Sequence, residues 1–193
     1  MKLLFASVLC ACLFTGLHGP THNQLHPAAA DLDIEALERQ VRDMVNAERD
    51  KQKIAPLKSK TQLVSLSRAH SADMAIRDYV AHINPEGHSP TDRARIAKFE
   101  CKSKGYNGLF PTGIGENIFM SYLYSQYKSV TINGVEERTY DWKSADALAS
   151  EIVGNWMQSQ GHRENILRKD YLYGGIGIAT NLNHQIFVTQ TFC

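Results

Sequence analysis

The chain has 193 residues, of which 21% are charged and 43% are hydrophobic, and its formal net charge at pH 7 is +1. This balance excludes the strongly basic surface by which proteins bind nucleic acids, because such a surface needs a clear excess of Lys and Arg. The length fits one domain with a sizeable hydrophobic core.

The first 30 residues are typical of an export signal. Lys2 precedes a mostly apolar run, and Ala28 and Ala30 form a small-x-small cleavage site. The apolar run is shorter than the roughly 20 residues that cross a bilayer as a helix. We therefore expect a signal peptide over residues 1–30 and no transmembrane segment in the mature chain.

The export signal predicts where the protein works. A mature chain of residues 31–193 is expected to be secreted and extracellular, or periplasmic. The alternative is a lipoprotein, in which Cys12 at the end of the apolar run is acylated and anchors the chain.

Three helices are predicted from apolar residues at helical spacing. The first covers residues 33–50, and the second begins with Thr61 as its N-cap and runs to about Tyr79. The third begins near Ser144 and ends at the sequence SQGH.

Strand signals follow the second helix and dominate the end of the chain. Asn133 and Gly134 separate two β-prone arms, which predicts a hairpin around residues 122–142. The stretches GGIGIAT and QIFVTQTF alternate as two antiparallel strands. Helices first and strands last indicate an α+β fold, with an antiparallel sheet packed against helices.

Two cysteines, Cys101 and Cys193, lie outside the predicted signal peptide. In an exported protein they are expected to be oxidised to a disulfide, which would stabilise the chain by restricting its unfolded state. Two buried free thiols are the alternative.

Several motifs in order along the chain carry a family resemblance. They are VNAERDKQKIAPL from Val45, AHINPEGHSPTDR from Ala81, GIGENIF from Gly113 and NWMQSQGHRENIL from Asn155. Together they resemble the CAP superfamily of cysteine-rich secretory, antigen 5 and pathogenesis-related 1 proteins, and the spacing is similar to compact bacterial members with an SCP-type domain. The resemblance implies a three-layer α-β-α sandwich with a central antiparallel sheet and a shallow cleft.

The resemblance also implies which residues reach the cleft. The histidine of the first motif falls on His82, the glutamate of GEN on Glu116 and the histidine of GH on His162. The fourth position departs from the pattern, because Ser159 stands where many members have a second acidic residue. Two neutral imidazoles can bind a divalent metal such as zinc, with Glu116 as a third ligand or as a base for bound water.

The residues around these candidates have simpler interpretations. His70 lies on an apolar helix face and is expected to be a core histidine. Gly161 is expected to end the third helix, and Glu164 to stand in the first turn of a short helix. Asn165 is expected to hold the loop that aims His162.

Three functions of different class remain open. The first is an exported binding module whose cleft takes a divalent metal or a ligand, and whose partner is a lipid, a sterol or a protein. The second is a metal-dependent or acid/base hydrolase, peptidase-like, with His82, Glu116 and His162 as its catalytic set. The third is a wall-associated structural domain with a vestigial cleft. No nucleophile motif surrounds Ser89 or Ser159, which disfavours serine hydrolysis.

Overall fold

The structure is a computed structural model that describes residues 32–105 and 108–193, with the backbone alone for residues 103–105 and 108–111. The predicted signal peptide, with Cys12, lies outside these residues. The helices are α1 (Ile34–Lys51), α2 (Thr61–Arg77), α3 (Pro90–Ile96), α4 (Ala145–Gln158) and α5 (Gln160–Ile166). The strands are β1 (Lys58–Ser59), β2 (Cys101–Gly105), β3 (Gly108–Thr112), β4 (Gly115–Tyr122), β5 (Tyr124–Ile132), β6 (Val135–Trp142), β7 (Tyr173–Thr180) and β8 (Gln185–Phe192).

A four-stranded sheet in the order β1-β7-β8-β4 forms the centre of the domain. The strands predicted at the end of the chain are confirmed as β7 and β8, which pair antiparallel. Strand β4 also pairs antiparallel to β8, whereas the two-residue β1 pairs parallel to β7. Strand β4 is therefore an edge strand of this sheet.

One face of the sheet packs closely against α2. A Cβ atom added at Gly177 would lie 2.0 Å from the backbone nitrogen of Arg68, and one added at Gly175 would lie 2.3 Å from the helix backbone. The hydroxyl groups of Ser67 and Ser71 donate to the carbonyls of Gly175 and Gly177, at 3.0 and 2.8 Å. Glycine on β7 thus allows a short, hydrogen-bonded contact between helix and sheet.

The other face of the sheet carries the main hydrophobic core. Its apolar side chains come from α1, α4 and the inward positions of β7 and β8: Leu37, Val41, Val45, Leu148, Ile152, Val153, Trp156, Ile176, Ile178, Ile186 and Val188. Helices therefore cover both faces, and the predicted α-β-α sandwich is confirmed.

The helix ends match the sequence prediction in part. Helix α1 begins one residue later than predicted, with Asp33 as an N-cap that accepts from the amide of Ala36 at 2.9 Å. The prediction that Thr61 caps α2 is wrong, because Lys60 occupies the cap position and makes no side-chain cap bond. Helix α4 begins next to Ser144 as predicted, and Ser144 is its N-cap.

The hairpin signal at Asn133 and Gly134 is confirmed. Both residues have positive φ, 51° and 80°, as the two central residues of a type I′ hairpin turn require. Among the described residues, strands β5 and β6 pair only with each other, and they form a two-stranded ribbon apart from the central sheet.

A disulfide joins Cys101 at the start of β2 to Cys193 after β8. In the described residues, no helix is both long enough and apolar enough to span a membrane.

Candidate functional site

The candidate site lies at the open edge of strand β4. Glu116 is on β4, His82 is in the segment that follows α2, and His162 is on α5. The ring centres of His82 and His162 are 6.5 Å apart, and the planes of the two rings are inclined at 60°. The structure therefore brings together the three residues that the motifs single out.

Glu116 is buried between the side chains of His82 and Arg93. Its side chain is 2% exposed, and its Oε1 atom lies 2.9 Å from Nδ1 of His82. Its Oε2 atom accepts a hydrogen bond from Nη2 of Arg93. With both oxygens engaged, Glu116 is placed to orient His82 and has no unshared oxygen directed at a ligand.

The contact with Glu116 fixes the orientation of the His82 ring. A carboxylate is an acceptor, so the ring nitrogen that faces it, Nδ1, is the donor, and Nε2 is the nitrogen available to a ligand. The side chain is 45% exposed. Arg93 also donates from Nη1 to the carbonyl oxygen of His82 at 2.7 Å, which holds the backbone of this segment against α3.

His162 is held by a chain of amide contacts between α5 and β4. The side chain of Asn117 donates to the carbonyl oxygen of His162 at 3.0 Å. Asn165 donates to the carbonyl oxygen of Glu116 at 3.2 Å and to Oδ1 of Asn117 at 2.9 Å. These bonds satisfy part of the open edge of β4 and fix the helix that carries His162. The expectation that Asn165 has a positioning role agrees with these contacts.

The surroundings of His162 favour its neutral form. Burial lowers the pKa of its imidazole, and the charge of a protonated His82 nearby lowers it further. Within the described residues its Nδ1 atom is buried and has no hydrogen-bond partner. A neutral imidazole offers a lone pair, which is what a metal ion or a general base requires.

The local structure around His162 corrects one prediction. Helix α4 ends at Gln158, and Ser159 adopts an extended conformation between α4 and α5. Gly161 therefore does not end the third helix but lies in the first turn of α5, together with His162. Glu164 lies in the second turn of α5 and accepts from the side chain of Gln160 at 2.9 Å, so it does not stand at the helix N-terminus.

His70 is buried as predicted, but it also adjoins the site. Its side chain is fully buried, and its Nε2 atom lies 3.0 Å from the carbonyl oxygen of Ala81 and 3.8 Å from Oε1 of Glu116. Burial is the main cause that lowers the pKa of His70. The lowered pKa favours the neutral form of His70, so Arg93 is the cation in the ion pair with Glu116.

Arg93 is the site residue that sequence reasoning missed. It lies on α3, which begins with a reciprocal capping box: the Ser89 hydroxyl accepts from the amide of Asp92 at 3.2 Å, and the Asp92 side chain accepts from the amide of Ser89 at 3.1 Å. The sequence SPTD carries the capping signal, with Pro90 at the first helical position. That signal indicates the helix but not the partner of Arg93. The capping role of Ser89 also disfavours it as a nucleophile.

Arg49 fixes the C-terminal end of α5 by hydrogen bonds to backbone carbonyls. It is fully buried and donates to the carbonyl oxygens of Ile166 at 2.6 Å, Arg168 at 2.9 Å and Tyr171 at 3.0 Å. A guanidinium group has five donors in a fixed planar arrangement, which suits several carbonyls at once. Its charge also lies at the C-terminal end of the helix, where cations are favoured.

In the part of the chain that the structure describes, the cleft has two imidazoles that could bind a metal ion and no third protein ligand beside them. Among the described residues, no group of three or more His, Cys, Asp or Glu side chains is arranged to hold a metal. Two imidazoles that share a tetrahedral ion at metal–nitrogen distances of about 2 Å have ring centres about 5 Å apart. The observed 6.5 Å would have to shorten by about 1.5 Å for a shared ion.

Comparison with known proteins agrees with the geometry of the domain. The model of the family described as "CAP: Cysteine-rich secretory protein family" matches residues 42–192. The Bacillus subtilis protein YkwD is 28% identical over 149 residues, which are 77% of this chain and 45% of YkwD. The Bacillus subtilis membrane protein YlbC is 24% identical over 153 residues, 79% of this chain and 34% of YlbC. The chain thus spans less than half the length of these relatives.

Solved structures show the same fold. An extracellular protein with an SCP domain from Bacillus anthracis has a TM-score of 0.59 at 22% identity, over 88% of this chain and 44% of that one. An outer surface protein from Borrelia burgdorferi has a TM-score of 0.58 at 14% identity, over 83% of this chain and 94% of that one. At these identities the likeness concerns the fold alone.

Proposed function

Because the chain belongs to the cysteine-rich secretory protein family, whose match covers residues 42–192, we propose that it is an exported binding module whose cleft takes a divalent cation such as zinc. In this proposal His82 and His162 are the two protein ligands and water completes the coordination. Glu116 orients His82 and is not itself a ligand.

One observation carries the proposal: the hydrogen bond of 2.9 Å between Nδ1 of His82 and Oε1 of Glu116. A carboxylate that binds one ring nitrogen of a histidine fixes the tautomer and raises the basicity of the other nitrogen, which is the usual arrangement behind a metal-binding histidine. Arg93 donates to the second oxygen of Glu116, so the carboxylate is held in place.

Two imidazoles and water make a weak, exchangeable site rather than a structural one. Structural zinc sites use four protein ligands, and their binding energy contributes directly to folding. This domain has a core of its own on one sheet face. We therefore expect the cation to leave and return without unfolding the protein, and to mediate binding of a further ligand.

Export of this chain also belongs to the proposal. Two of the structural neighbours are described as an extracellular protein and an outer surface protein. The disulfide between Cys101 and Cys193 suits an oxidising compartment. The further ligand of such a module would be a lipid, a sterol or a protein.

The direct test is an inventory of metals and small molecules in the protein purified from its own compartment without chelators. Elemental analysis should find zinc or another divalent ion in the wild type, and less of it in His162→Ala. Lipid mass spectrometry of the same sample should identify any bound lipid or sterol. A wild type free of both, after purification in metal-containing buffer, would contradict the binding module.

The pairing of His82 and Glu116 supports a second candidate, a metal-dependent or acid/base hydrolase. A histidine oriented by a carboxylate is the base of many hydrolytic sites, and water would serve as the nucleophile here. This candidate predicts turnover of members of a peptide or ester library that is lost in His162→Ala. A wild type inert across such libraries with metal supplied would count against it.

A further inference from the structure

The β5–β6 ribbon and the adjoining Tyr122, the last residue of β4, carry a cluster of aromatic side chains that the cleft does not use. Tyr124 lies at its centre, with its ring centre 5.2 Å from that of Tyr122, 5.9 Å from that of Tyr127 and 4.8 Å from that of Tyr140. The strand register pairs Tyr124 with Trp142 and Tyr127 with Tyr140, so these four lie on one face of the ribbon. We call this face the aromatic face.

Part of the cluster fastens the ribbon to the domain. Tyr124, Tyr140 and Trp142 all lie against the ring of His184, which precedes β8, with ring centres 6.5, 4.9 and 5.1 Å from it. A two-stranded ribbon is marginally stable alone, so an anchor of this kind is needed. Tyr122 and Tyr127 do not contact His184 among these ring pairs and remain 43% and 48% exposed.

The exposed rings are flanked by a fixed pair of charges without net charge. Arg138, on the aromatic face two residues from Tyr140, lies over the ring of Tyr127 at 5.3 Å. It donates to both carboxylate oxygens of Glu136, at 3.1 and 2.8 Å. The aromatic face and the adjoining Tyr122 thus offer partly exposed rings beside planar donors and acceptors, and the balance of charge favours a neutral ligand.

The size of the exposed aromatic surface decides between classes of neutral ligand. A buried aromatic side chain covers about 150–250 Å², so two rings that are about half exposed offer on the order of 200 Å². A stable protein interface needs about 800 Å² on each partner. The two rings alone supply about a quarter of that area, whereas they are large enough to cover one or two sugar rings.

We propose that Tyr122 and Tyr127, with the Arg138–Glu136 pair, form a binding platform for a neutral β-1,4-linked polysaccharide. A hexopyranose with all substituents equatorial presents only C–H groups on its two faces. These weakly positive hydrogens pack on the negative face of an aromatic ring. The hydroxyl groups around the sugar rim need donors and acceptors, which the guanidinium and the carboxylate supply.

The test is a titration of the mature protein with chitotetraose and with cellotetraose, followed by amide NMR shifts. We expect saturable shifts at Tyr122, Tyr127 and Arg138. Tyr122→Ala and Tyr127→Ala should each lower the affinity about three- to tenfold, since loss of one aromatic contact is of that order. Tyr→Phe at either position should keep the affinity within about threefold.

The opposite face of the same ribbon supplies the control. Val130 and Ile132 are exposed there, and Val130→Ala with Ile132→Ala should leave sugar binding unchanged. If an alanine variant does not fold, Tyr→Leu at the same position keeps apolar bulk without a π face and should still lose binding. Equal affinity in the Tyr122→Ala/Tyr127→Ala double variant, or in both leucine variants, would overturn the proposal. Ribbon shifts with decaproline or with phosphatidylglycerol vesicles, and none with either sugar, would also overturn it.

Discussion

Arg93 and Glu116 form the ion pair that holds the cleft together: the guanidinium donates to Oε2 of Glu116, and the two side chains are only 14% and 2% exposed. Removal of one partner from a buried pair leaves the other charge uncompensated, which costs about 3–5 kcal/mol. Arg93→Met should therefore lower the free energy of unfolding by about that amount.

A double variant separates the ion pair from other roles of Arg93. Arg93→Met with Glu116→Gln removes both charges and should recover part of the stability lost in Arg93→Met alone. Urea unfolding of the wild type, the two single variants and the double variant measures this coupling. A loss below about 1 kcal/mol in Arg93→Met, or simple additivity of the two changes, would contradict a buried pair.

The contact between α2 and β7 predicts a contrast between two glycine substitutions. In Gly177→Ala the new Cβ would meet the backbone of α2 at 2.0 Å, and backbone cannot give way as a flexible side chain can. We expect a loss of several kcal/mol or failure to fold. Gly154→Ala, inside α4 with nothing within 4 Å of the new Cβ, should instead stabilise the protein by up to about 1 kcal/mol. Thermal unfolding of the two variants decides, and equal melting temperatures would contradict the close contact.

The disulfide predicts a large effect of reduction. Cys101 and Cys193 are 92 residues apart, and the chain-entropy estimate for a loop of that length is about 4–5 kcal/mol. Reduction should lower the melting temperature clearly, and the same should hold for Cys193→Ser. Mass spectrometry without reductant should find the two peptides joined and two hydrogens lighter than the free thiols. Two alkylatable thiols in the native exported protein would contradict the bridge.

Acid should destabilise the folded protein through its buried histidines. The pKa values of His70 and His162 are lowered, mainly by burial, so the unfolded chain binds more protons than the folded one as the pH falls. The associated stability is fully present above the unfolded pKa, about 6.5, and is lost as the pH falls through the lower folded values. Urea midpoints between pH 7.5 and 4.5 measure the decline.

His70→Gln should flatten this decline. The glutamine amide can still donate to the carbonyl oxygen of Ala81, the bond that Nε2 of His70 makes at 3.0 Å, but it does not titrate. The variant should therefore follow the wild type above pH 7 and lose less stability below pH 6. A profile parallel to that of the wild type over the whole range would show that His70 does not contribute to the slope.

Local signals in the sequence were sufficient for much of the fold. The Asn133–Gly134 pair predicts its hairpin because few residues other than glycine and asparagine adopt positive φ readily. Ser144 predicts a helix start for an equally local reason, the bond from its hydroxyl to a free amide. Thr61 was wrong as a cap because the chain enters α2 from β1, and this pairing places Lys60 at the cap position.

The site itself could be predicted only through the family motifs. His82, Glu116 and His162 are distant in sequence, and no spacing rule places them together. The sequence does not single out Arg93, and it predicts His70 only as a core residue, because their contacts with Glu116 form across the fold. Glycine often ends helices, so the sequence predicts that the helix before His162 ends at Gly161. In the structure an extended Ser159 ends α4 instead.

The central claim is that His82 and His162 bind one divalent ion while Glu116 orients His82. Calorimetric titration with zinc at pH 7.5 tests it in the wild type, His82→Ala, His162→Ala and Glu116→Gln. His88→Ala, in the loop just before α3, is the matched histidine control. Both alanine variants in the cleft should lose at least about tenfold in affinity, because neither imidazole alone holds the ion well. Glu116→Gln should lose less, since it removes an orienting charge and not a ligand.

A second titration at pH 5.5 completes the measurement. Protonated imidazole has no lone pair, so wild-type affinity should fall as the pH drops through the histidine range. The account predicts this loss, together with unchanged affinity in His88→Ala at pH 7.5. Equal zinc affinity in the wild type and in both cleft histidine variants would contradict the metal site.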